Sequence, residues 1–384
     1  MITNLKDICD FQSGGTPSKR KKEFFGGTIP WITTTALNGS QIDEKFAVEW
    51  ITESAIVESA AKIVPEYSIM VGTRVGVGKV AINTVKMSTN QDIVSLLNID
   101  ECIWSKAYLC KLIKSKFAYL NSQSRGATIK GIKIDVLANL KITQIPLNRQ
   151  RQVSGIIDRV QNIIEDRRKQ LKCLDDLIRS RFVEMFGDPI INEKEWPCII
   201  LSDACQSILG GGTPSKSCNE FFSGTIPWVT PKDMKLSIIN DSIDHITEDA
   251  IKYSTTNLVP KESVLMVIRS GILKHSLPVA MNSIPVTINQ DMKAFIPGKN
   301  ITAEFLLHFF KAIENDILSG VRSVTADNID FKTFQKRMII IPPLDLQQQF
   351  AAFIAQVDKS KVAVQKALDE TQLLFDSLMQ EYFG

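Results

Sequence analysis

The chain of 384 residues contains an internal duplication, and this feature limits its possible folds more than any other. The run Gly-Gly-Thr-Pro-Ser-Lys at 14–19 returns at 211–216. Further pairs follow in the same order, at offsets of 195 to 199 residues: Gly-Thr-Ile-Pro-Trp at 27–31 and 224–228, Asn-Gln-Asp at 90–92 and 289–291, and Phe-Gly at 186–187 and 383–384. A repeat of this length indicates two copies of one structural unit. Each copy has about 187 residues, and roughly ten residues join them.

The larger, N-terminal part of each copy is typical of a small α+β globule. Residues 1–147 and about 198–344 carry short β-type runs, such as 68–71 and 263–268, separated by Gly, Pro and Asn turn residues. A helical stretch recurs at 107–113 and 304–310. We therefore predict two globules of one fold, each with mixed β structure and helices.

The remainder of each copy has a different pattern, in which apolar residues step by four and by three positions. These seam positions are Val153, Ile157, Val160, Ile164, Leu171, Leu174 and Ile178 in the first copy, and Phe350, Ile354, Val357, Val364, Leu368, Phe375 and Leu378 in the second. Such spacing is typical of a coiled coil. A helix of about 35 residues would be about 50 Å long.

The order of the segments predicts that the two helices run antiparallel. The first helix must deliver the chain to the second globule, so a paired second helix of equal length returns the C-terminus beside the first globule. The predicted fold is therefore α+β with a pseudo-twofold internal repeat, in which two long antiparallel coiled-coil helices hold two globules a fixed distance apart. The alternative is that each helix folds back on its own globule.

Composition and charge exclude several classes of protein. The 45 basic and 42 acidic side chains leave a formal net charge of +3, which excludes a uniformly basic nucleic-acid coat and an acidic disordered chain. No run of about 18 apolar residues and no secretory signal is visible. The seven cysteines include no CxxC pair and are expected to be reduced, mostly buried thiols of a cytoplasmic protein. With three scattered histidines they give no metal-ligand spacing.

No catalytic motif in the sequence is complete. The run 74–79 resembles a phosphate-binding loop, but Thr73 stands where its first glycine should be, and Val80 follows the lysine. Neither a cofactor-binding FxGxG loop nor a (D/N)PP(Y/F) methylation motif is present, since the closest string, Ile341-Pro342-Pro343-Leu344, lacks the required flanking residues. We expect no catalytic residues and no bound metal.

Cationic and polar residues instead recur beside glycines at matched places in both copies. Backbone N–H groups, hydroxyls and Lys or Arg side chains make phosphate contacts, and Arg, Lys, Asn, Gln or Thr read base edges. Trp31 and Trp228 are expected to be core aromatics, and the Thr128/Thr325 pair follows the last arginine pair. The candidate DNA-binding residues are Lys19, Arg20, Lys21, Lys22, Thr33, Arg74, Lys79 and Arg125 in the first copy, and Lys216, Thr230, Lys232, Arg269, Lys274 and Arg322 in the second.

The two copies diverge in their loops, chiefly at 36–48 and 234–245. Leu273 also stands where the first copy has Gly78, so the second turn is expected to present Lys274 differently. Two globules of one fold with divergent loops predict two different targets.

Taken in their order, these motifs resemble the specificity subunits of Type I restriction–modification systems. The resemblance covers essentially the whole chain. The resemblance rests on the GGTPS…GTIPW opening of each half and on the Arg-x-Gly turns at Arg74 and Arg269. It also rests on the Pro-Leu-x-x-Gln-x-Gln runs that begin at Pro146 and Pro343, and on the two Phe-Gly pairs. It implies target-recognition domains at 1–147 and, with an entry linker, 188–344, and spacer helices at 148–187 and 345–384.

The resemblance also implies function and partners. Each target-recognition domain would read one half of a split, asymmetric double-stranded DNA sequence, and the helices would set the unspecified gap and dock two modification subunits. This chain would be non-catalytic and would bind no cofactor. S-adenosylmethionine, ATP and Mg²⁺ would belong to the modification and restriction subunits. Two alternatives stay open: a self-contained DNA methyltransferase, and a protein scaffold that does not bind DNA.

Overall fold

The computed structural model describes residues 2–37, 41–125, 131–323 and 327–384, with the backbone alone at 322 and 323. It forms two compact units. Unit 1 comprises Met1–Arg167 and Ala367–Gly384, and unit 2 comprises Arg168–Lys366. Each unit therefore contains one globule and a segment of both long helices.

The strands and helices of the first copy are short, apart from the last helix. The strands are β1 (Ile2–Asn4), β2 (Asp10–Ser13), β3 (Phe25–Ile32), β4 (Gln41–Ile42), β5 (Glu49–Ile51), β6 (Ile63–Val64), β7 (Ile69–Gly72), β8 (Val80–Asn83), β9 (Met87–Thr89), β10 (Ile93–Leu97) and β11 (Lys141–Thr143). The helices are α1 (Glu53–Glu58), α2 (Lys106–Ser115), α3 (Phe117–Ser122), α4 (Ile134–Ala138) and the long α5 (Leu147–Phe186).

The second copy repeats this series. Its strands are β12 (Cys198–Ile200), β13 (Cys205–Gly210), β14 (Ile226–Val229), β15 (Ile238–Ile239), β16 (Asp244–Ile246), β17 (Leu258–Val259), β18 (Val264–Val267), β19 (Val279–Asn282), β20 (Val286–Ile288), β21 (Met292–Pro297), β22 (Arg322–Ser323), β23 (Asp327–Asn328) and β24 (Met338–Ile340). Its helices are α6 (Leu201–Ala204), α7 (Glu248–Lys252), α8 (Ala303–Ala312), α9 (Glu314–Ser319), α10 (Phe331–Phe334) and the long α11 (Leu344–Phe383).

The sheets of the two units have the same topology across the described residues. In unit 1 the strand orders are β2-β10-β7-β8-β4, β5-β3-β9-β6 and β1-β11. In unit 2 they are β13-β21-β18-β19-β15, β16-β14-β20-β17 and β12-β24, with β22 and β23 forming an additional hairpin. The pairs β3·β9 and β4·β8 are parallel, as are β14·β20 and β15·β19. The predicted α+β class and internal repeat are confirmed.

Each five-stranded sheet is buried on both faces, which explains the continuous apolar runs of its central strands. In β7, Ile69 and Val71 point into the core beneath α2, whereas Met70 points into the core on the opposite face. Such alternation follows from the two-residue period of a strand. In β18, Val264 and Met266 enter one core and Leu265 the other. The register of β10 on β7 and of β21 on β18 is what places the candidate site described below.

A buried glutamine fixes the start of each long helix, which explains the Pro-Leu-x-x-Gln motif. The Gln150 amide donates to the carbonyl oxygens of Ile103 and Ile145, and its Oε1 accepts from the N–H of Ser105 at 2.9 Å. Gln347 makes the equivalent bonds to Asn300, Pro342 and Thr302. These bonds join the loop before α2 or α8 to the first turn of α5 or α11. Both glutamine side chains are fully buried.

We expect Gln150→Ala to lower the free energy of unfolding by about 1–3 kcal/mol, because three backbone polar groups would lose their partner in a buried place. Urea denaturation measures this loss. Gln152→Ala is the matched control, because Gln152 is exposed on the same helix and should cost less than about 0.5 kcal/mol. Equal losses for the two variants would show that the buried glutamine does not hold the helix.

Each unit contains antiparallel segments of α5 and α11. In unit 1 the core that holds Val153 and Ile157 of α5 also holds Phe383, the last residue of α11. In unit 2 the core that holds Ile178 of α5 also holds Phe350 of α11. The start of one helix therefore packs with the end of the other in both units. The alternative, in which each helix caps only its own globule, is wrong.

The predicted seam residues are all buried or half-buried. Those near the helix ends lie in the cores of the units, so the helix ends are part of the globules. The fully buried ones are Val153, Ile157, Val160, Ile164, Ile178, Phe350, Ile354 and Val357, and the half-buried ones are Leu171, Leu174, Val364, Leu368, Phe375 and Leu378.

Two further sequence expectations concern cysteines and membranes. The cysteines are free thiols, but only Cys9, Cys110 and Cys205 are buried, so the expectation of mostly buried thiols is wrong. Of the other four, Cys102 and the half-buried Cys218 lie in loops, Cys173 lies on an exposed face of α5, and Cys198 is exposed at the start of β12. Among the described residues no helix combines the length and the apolar character that a membrane span requires.

Candidate nucleic-acid interface

The Gly-Gly-Thr-Pro-Ser-Lys run of each copy, at 14–19 and 211–216, forms a glycine loop that lies against the end of a neighbouring strand. A Cβ on Gly14 would stand 2.2 Å from the Asn90 carbonyl oxygen, and one on Gly211 would stand 2.0 Å from that of Asn289. Only glycine permits so close an approach. The indole N–H of Trp31 donates to the Gly15 carbonyl oxygen at 3.1 Å, and Trp228 does the same to Gly212. Both rings are buried, which confirms the prediction that they are core aromatics.

The Asn-Gln-Asp segment is a turn that joins three repeated motifs. The Asn90 side chain donates to the Asp92 carboxylate at 2.9 Å, and the Thr16 hydroxyl of the glycine loop donates to Gln91 Oε1. The Asp92 carbonyl oxygen accepts from the N–H groups of Thr73 (2.8 Å) and Arg74 (3.3 Å). The turn therefore fixes the backbone from which the Arg74 side chain projects.

Arg125 is brought to the same place by a second set of backbone bonds. It exchanges hydrogen bonds of 2.9 and 3.0 Å with Gly131, and the N–H of Ile132 donates to the Thr73 carbonyl oxygen at 2.8 Å. The backbone that carries Arg125 is thus tied to the Arg74 turn. The intervening residues 126–130, which include Thr128, lie outside the described part of the chain.

Arg74 and Arg125 line one cavity of about 610 Å³ in unit 1. Both arginines are exposed, and so are Gln91 and Lys133. Three cationic groups therefore face one carboxylate, Asp92, which is itself hydrogen-bonded to Asn90. The remaining lining residues are Gln123, Gly131, Ile132 and Val136. Such a set can donate to phosphate oxygens or to the acceptor groups of guanine and adenine.

Unit 2 has the same construction around Arg269. The Asp291 carbonyl oxygen accepts from Ile268 (2.8 Å) and Arg269 (3.2 Å), and the Asn289 side chain donates to the Asp291 carboxylate. The Thr213 hydroxyl donates to Gln290 Oε1, as Thr16 does to Gln91. The backbones of Arg269 and Arg322 both pair with that of Asn328. The Arg322 side chain and Thr325 lie outside the described residues.

The two turns differ where the sequences differ. Gly78 has φ +80°, a conformation that a leucine adopts only with strain. The corresponding Leu273 lies instead in a short 3₁₀ turn, Gly271–Lys274, and is buried. Lys274 follows it and lies 3.7 Å from the Asp327 carboxylate. Lys79 is half-buried, whereas Lys274 is exposed, so the second turn presents its lysine differently.

The sequence profile of the Type I restriction modification DNA specificity domain matches residues 1–172 and again 193–371. The chain belongs to this family. The two matches coincide with the two copies of the repeat, so each copy is one DNA specificity domain in the family's sense. The family is one of DNA-recognition subunits.

Curated relatives and solved structures agree with this assignment. The Escherichia coli Type I restriction enzyme EcoR124I/EcoR124II specificity subunit is 40% identical over 152 residues, which cover 39% of this chain and 38% of that protein. The MjaIX specificity subunit of Methanocaldococcus jannaschii is 24% identical over 98% of this chain and 91% of its own length. The S subunit structure from M. genitalium covers 100% of this chain at 15% identity with a TM-score of 0.60, which shows a shared fold.

The two arginine corners are the backbone assemblies that carry Arg74 and Arg125 in the first domain and Arg269 and Arg322 in the second. The remaining candidate residues of the two specificity domains lie outside these corners. Lys19, Arg20, Lys21 and Lys22 are exposed after the glycine loop, and Lys216 is exposed at the matched place. Lys21 pairs with Glu58 at 3.1 Å and lies over the Phe24 ring. Thr33 is half-buried, and its hydroxyl bonds that of Thr35.

Thr230 and Lys232 lie in one turn of the second domain. Thr230 is 9% exposed, and its hydroxyl and N–H both donate to the Asp233 carboxylate at 2.9 and 2.8 Å. This pairing stabilises the turn. Lys232 is exposed beside it. The divergent segment 234–245 returns to this turn, because the Ile243 N–H donates to the Asp233 carboxylate at 2.9 Å, and Ser237 within the segment accepts from Lys311 of α8 at 2.6 Å.

The sequence reasoning missed the polar residues that share the cavity with the arginines. Gln91, Gln123 and Lys133 line it together with Arg74 and Arg125. For Gln91 a signal existed, because the Asn-Gln-Asp segment is itself repeated. Gln123 and Lys133 carry no repeat signal, and their place follows only from the fold.

Proposed function

We propose that this chain is the DNA-binding specificity subunit of a Type I restriction–modification complex and that it reads a bipartite, asymmetric DNA site. The observation that carries the proposal is the duplicated arginine corner. Each specificity domain ties an Asn-Gln-Asp turn, an Arg-x-Gly turn and a second arginine into one assembly. Two equivalent corners on domains with different loops fit two different half-sites.

Within each half-site, contacts divide into two kinds. The exposed lysines after the glycine loops contact phosphates, and the arginines and glutamines of the corner contact base edges or the adjacent backbone. Each mismatched base pair then costs about 1–3 kcal/mol. Because one chain carries both domains, binding of the second half-site is effectively intramolecular, so two short sites add their energies. The spacer helices, at 40 residues each, set the gap between the half-sites.

The chain acts with partners in this proposal. Its net charge of +3 favours weak solitary binding to DNA. Two modification subunits dock on the long helices and supply S-adenosylmethionine, and a restriction subunit supplies ATP- and Mg²⁺-dependent translocation and cleavage. The specificity subunit itself carries out no chemistry, and its location is the cytoplasm, where the DNA is.

Selection from a random duplex library tests the proposal. The full chain, reconstituted with its modification subunits, should enrich a two-part motif, and the modification subunits without it should enrich none. Equilibrium dialysis with S-adenosylmethionine on the purified chain addresses the self-contained methyltransferase, because tight binding would favour that alternative. No enrichment with all subunits present would favour the protein scaffold and overturn the proposal.

A further inference from the structure

A second cavity, of about 580 Å³, lies inside unit 2 between α8, α5 and α11. Its floor is apolar and includes Phe182, Leu307 and Ile354, which are all buried. Its polar side carries His308 and Lys311, one turn apart on α8. The other charged residues that line it are Arg179, Lys361, Asp175, Glu304, Glu314 and Asp358. A pocket of this size with an apolar floor and a few convergent polar groups has the usual form of a small-molecule site.

The internal repeat shows what is missing from this cavity. At an offset of 197, His308 and Ala355 correspond to Lys111 and Asp158 of the first copy. There, Lys111 Nζ lies 2.6 Å from Asp158 Oδ1, and the lysine side chain is only 8% exposed. The first copy thus carries a carboxylate between its α2 and α5. The second copy replaces that carboxylate with the methyl group of Ala355.

The polar side of the cavity is left with unused hydrogen-bonding capacity. Among the described residues, His308 makes a ring contact with Phe350 (5.4 Å) and no hydrogen bond. Lys311 donates to the Ser237 hydroxyl, whereas the nearby carboxylates of Asp175 and Asp358 lie within 4 Å of Lys361. Burial, and then the charges of Lys311 and Lys361, lower the pKa of His308 to about 3. The ring is therefore neutral at pH 7, with one donor and one acceptor.

The surroundings of His308 and Lys311 favour an anion over a cation. Burial and then the charge of Lys361 also lower the pKa of Lys311, although Asp175 and Asp358 act in the opposite direction, so this ammonium group is not fully compensated. Asp175 and Asp358 are already paired with Lys361, and the Glu314 carboxylate accepts from the Leu277 N–H at 2.7 Å. A negatively charged group beside Lys311 would supply the missing counter-charge.

We propose that this cavity binds a small carboxylate with an apolar stem, whose carboxylate takes the place that Asp158 occupies in the first copy. Its oxygens accept from Lys311 and from the His308 ring, and its stem covers Phe182, Leu307 and Ile354. This site is separate from the arginine corners and does not depend on the proposed DNA function. It makes unit 2, and not unit 1, responsive to a ligand.

Isothermal titration of the full chain with hexanoate tests the proposal, with hexylamine as the probe of the same length and opposite charge. We expect binding of hexanoate and none of hexylamine. Lys311→Gln should weaken hexanoate binding at least about tenfold, because a charge-assisted hydrogen bond is lost. Ala355→Asp should abolish it, because the variant places a tethered carboxylate in the site.

Lys114→Gln is the matched control, since Lys114 is the counterpart of Lys311 in the first copy and should leave hexanoate binding unchanged. Circular dichroism identifies any variant that fails to fold, and the comparison of hexanoate with hexylamine needs no variant. Absence of hexanoate binding would overturn the proposal. Equal binding of the two probes would also overturn it, because the cavity would then accept any apolar chain.

Discussion

Replacing Phe383 with alanine is expected to destabilise unit 1 by about 3–5 kcal/mol, although this residue lies at the opposite end of the sequence from the globule of that unit. Phe383 is 4% exposed, belongs to the core beneath α2, and contacts the Tyr108 ring at 5.3 Å between centroids. Its truncation leaves a cavity in that core. Hydrogen exchange measures the effect separately in each unit, and the amides of β7 and β10 should lose protection while those of β18 and β21 keep it.

The equivalent substitution in the first copy of the repeat should affect the other unit. Phe186 is the counterpart of Phe383 and lies in the core of unit 2, 4.9 Å from the Phe305 ring and 5.5 Å from that of Phe350. Phe186→Ala should therefore remove protection from β18 and β21 and leave β7 and β10 unaffected. Leu373→Ala, on an exposed face of α11, is the control and should change stability by less than about 0.5 kcal/mol. Loss of protection in the same unit for both phenylalanine variants would contradict the antiparallel arrangement.

Arg74→Ala and Arg269→Ala are each expected to weaken DNA binding by the assembled complex about tenfold or more. An arginine that reads a base contributes about 1–3 kcal/mol and its loss relaxes specificity at one position. An arginine that contacts a phosphate weakens binding to all sequences and lowers the slope of log affinity against log salt by about one. Fluorescence anisotropy across a salt series, with the selected motif and with scrambled duplexes, distinguishes these outcomes.

The two arginine variants should act on different half-sites, because each arginine belongs to a different domain. When a duplex is altered only in the half-site that the first domain reads, the difference in affinity between the Arg74 variant and the unaltered chain should become smaller. When a duplex is altered only in the other half-site, the difference for the Arg269 variant should become smaller. Lys141→Ala, at an exposed position of strand β11 in unit 1, is the control and should leave affinity unchanged. Unchanged affinity and salt slope for both arginine variants would remove the corners from the DNA interface.

Much of the architecture could be predicted because the duplication removes most alternatives. Matching motifs in the same order, at offsets of 195 to 199 residues, predict two copies of one fold, and the offset of 197 holds for α2 and α8 and for α5 and α11. The four-and-three spacing predicts the long helices, and the need to return the chain predicts their antiparallel direction. Strands with short apolar runs bounded by turn residues, such as β7 and β18, also lie where the sequence indicates.

The candidate site was only partly predictable, because it depends on contacts between distant segments. The repeat predicts that Arg74, Arg125, Arg269 and Arg322 matter, but the meeting of Arg74 with Arg125 depends on the register of β10 on β7 and on backbone bonds to Thr73. Gln123 and Lys133 are ordinary surface residues in the sequence and enter the cavity only through folding. The sequence indicates that Thr230 is a DNA-contacting residue, whereas in the fold its hydroxyl donates a hydrogen bond to Asp233.

The environment of the seam residues of α5 and α11 was also only partly predictable. A spacing of four and three predicts burial along one face but does not say what covers it. At the ends of α5 and α11 the covering residues belong to the globules, because Val153 and Ile178 join globule cores. The cavity beside His308 was also not predictable from the sequence, since it depends on the packing of α8 against α5 and α11. There, His308 and Ala355 stand in place of a lysine and an aspartate that are 47 residues apart in the first copy.

Mapping of methylated adenines across the genome, in cells with and without this chain, tests the central claim most directly. The claim is that two specificity domains of one chain read the two halves of one DNA site. We predict that methylation dependent on the chain falls at an asymmetric motif of two short parts separated by a gap of fixed length and unspecified sequence. A single continuous motif, or a methylation pattern that does not change when the chain is removed, would contradict this claim.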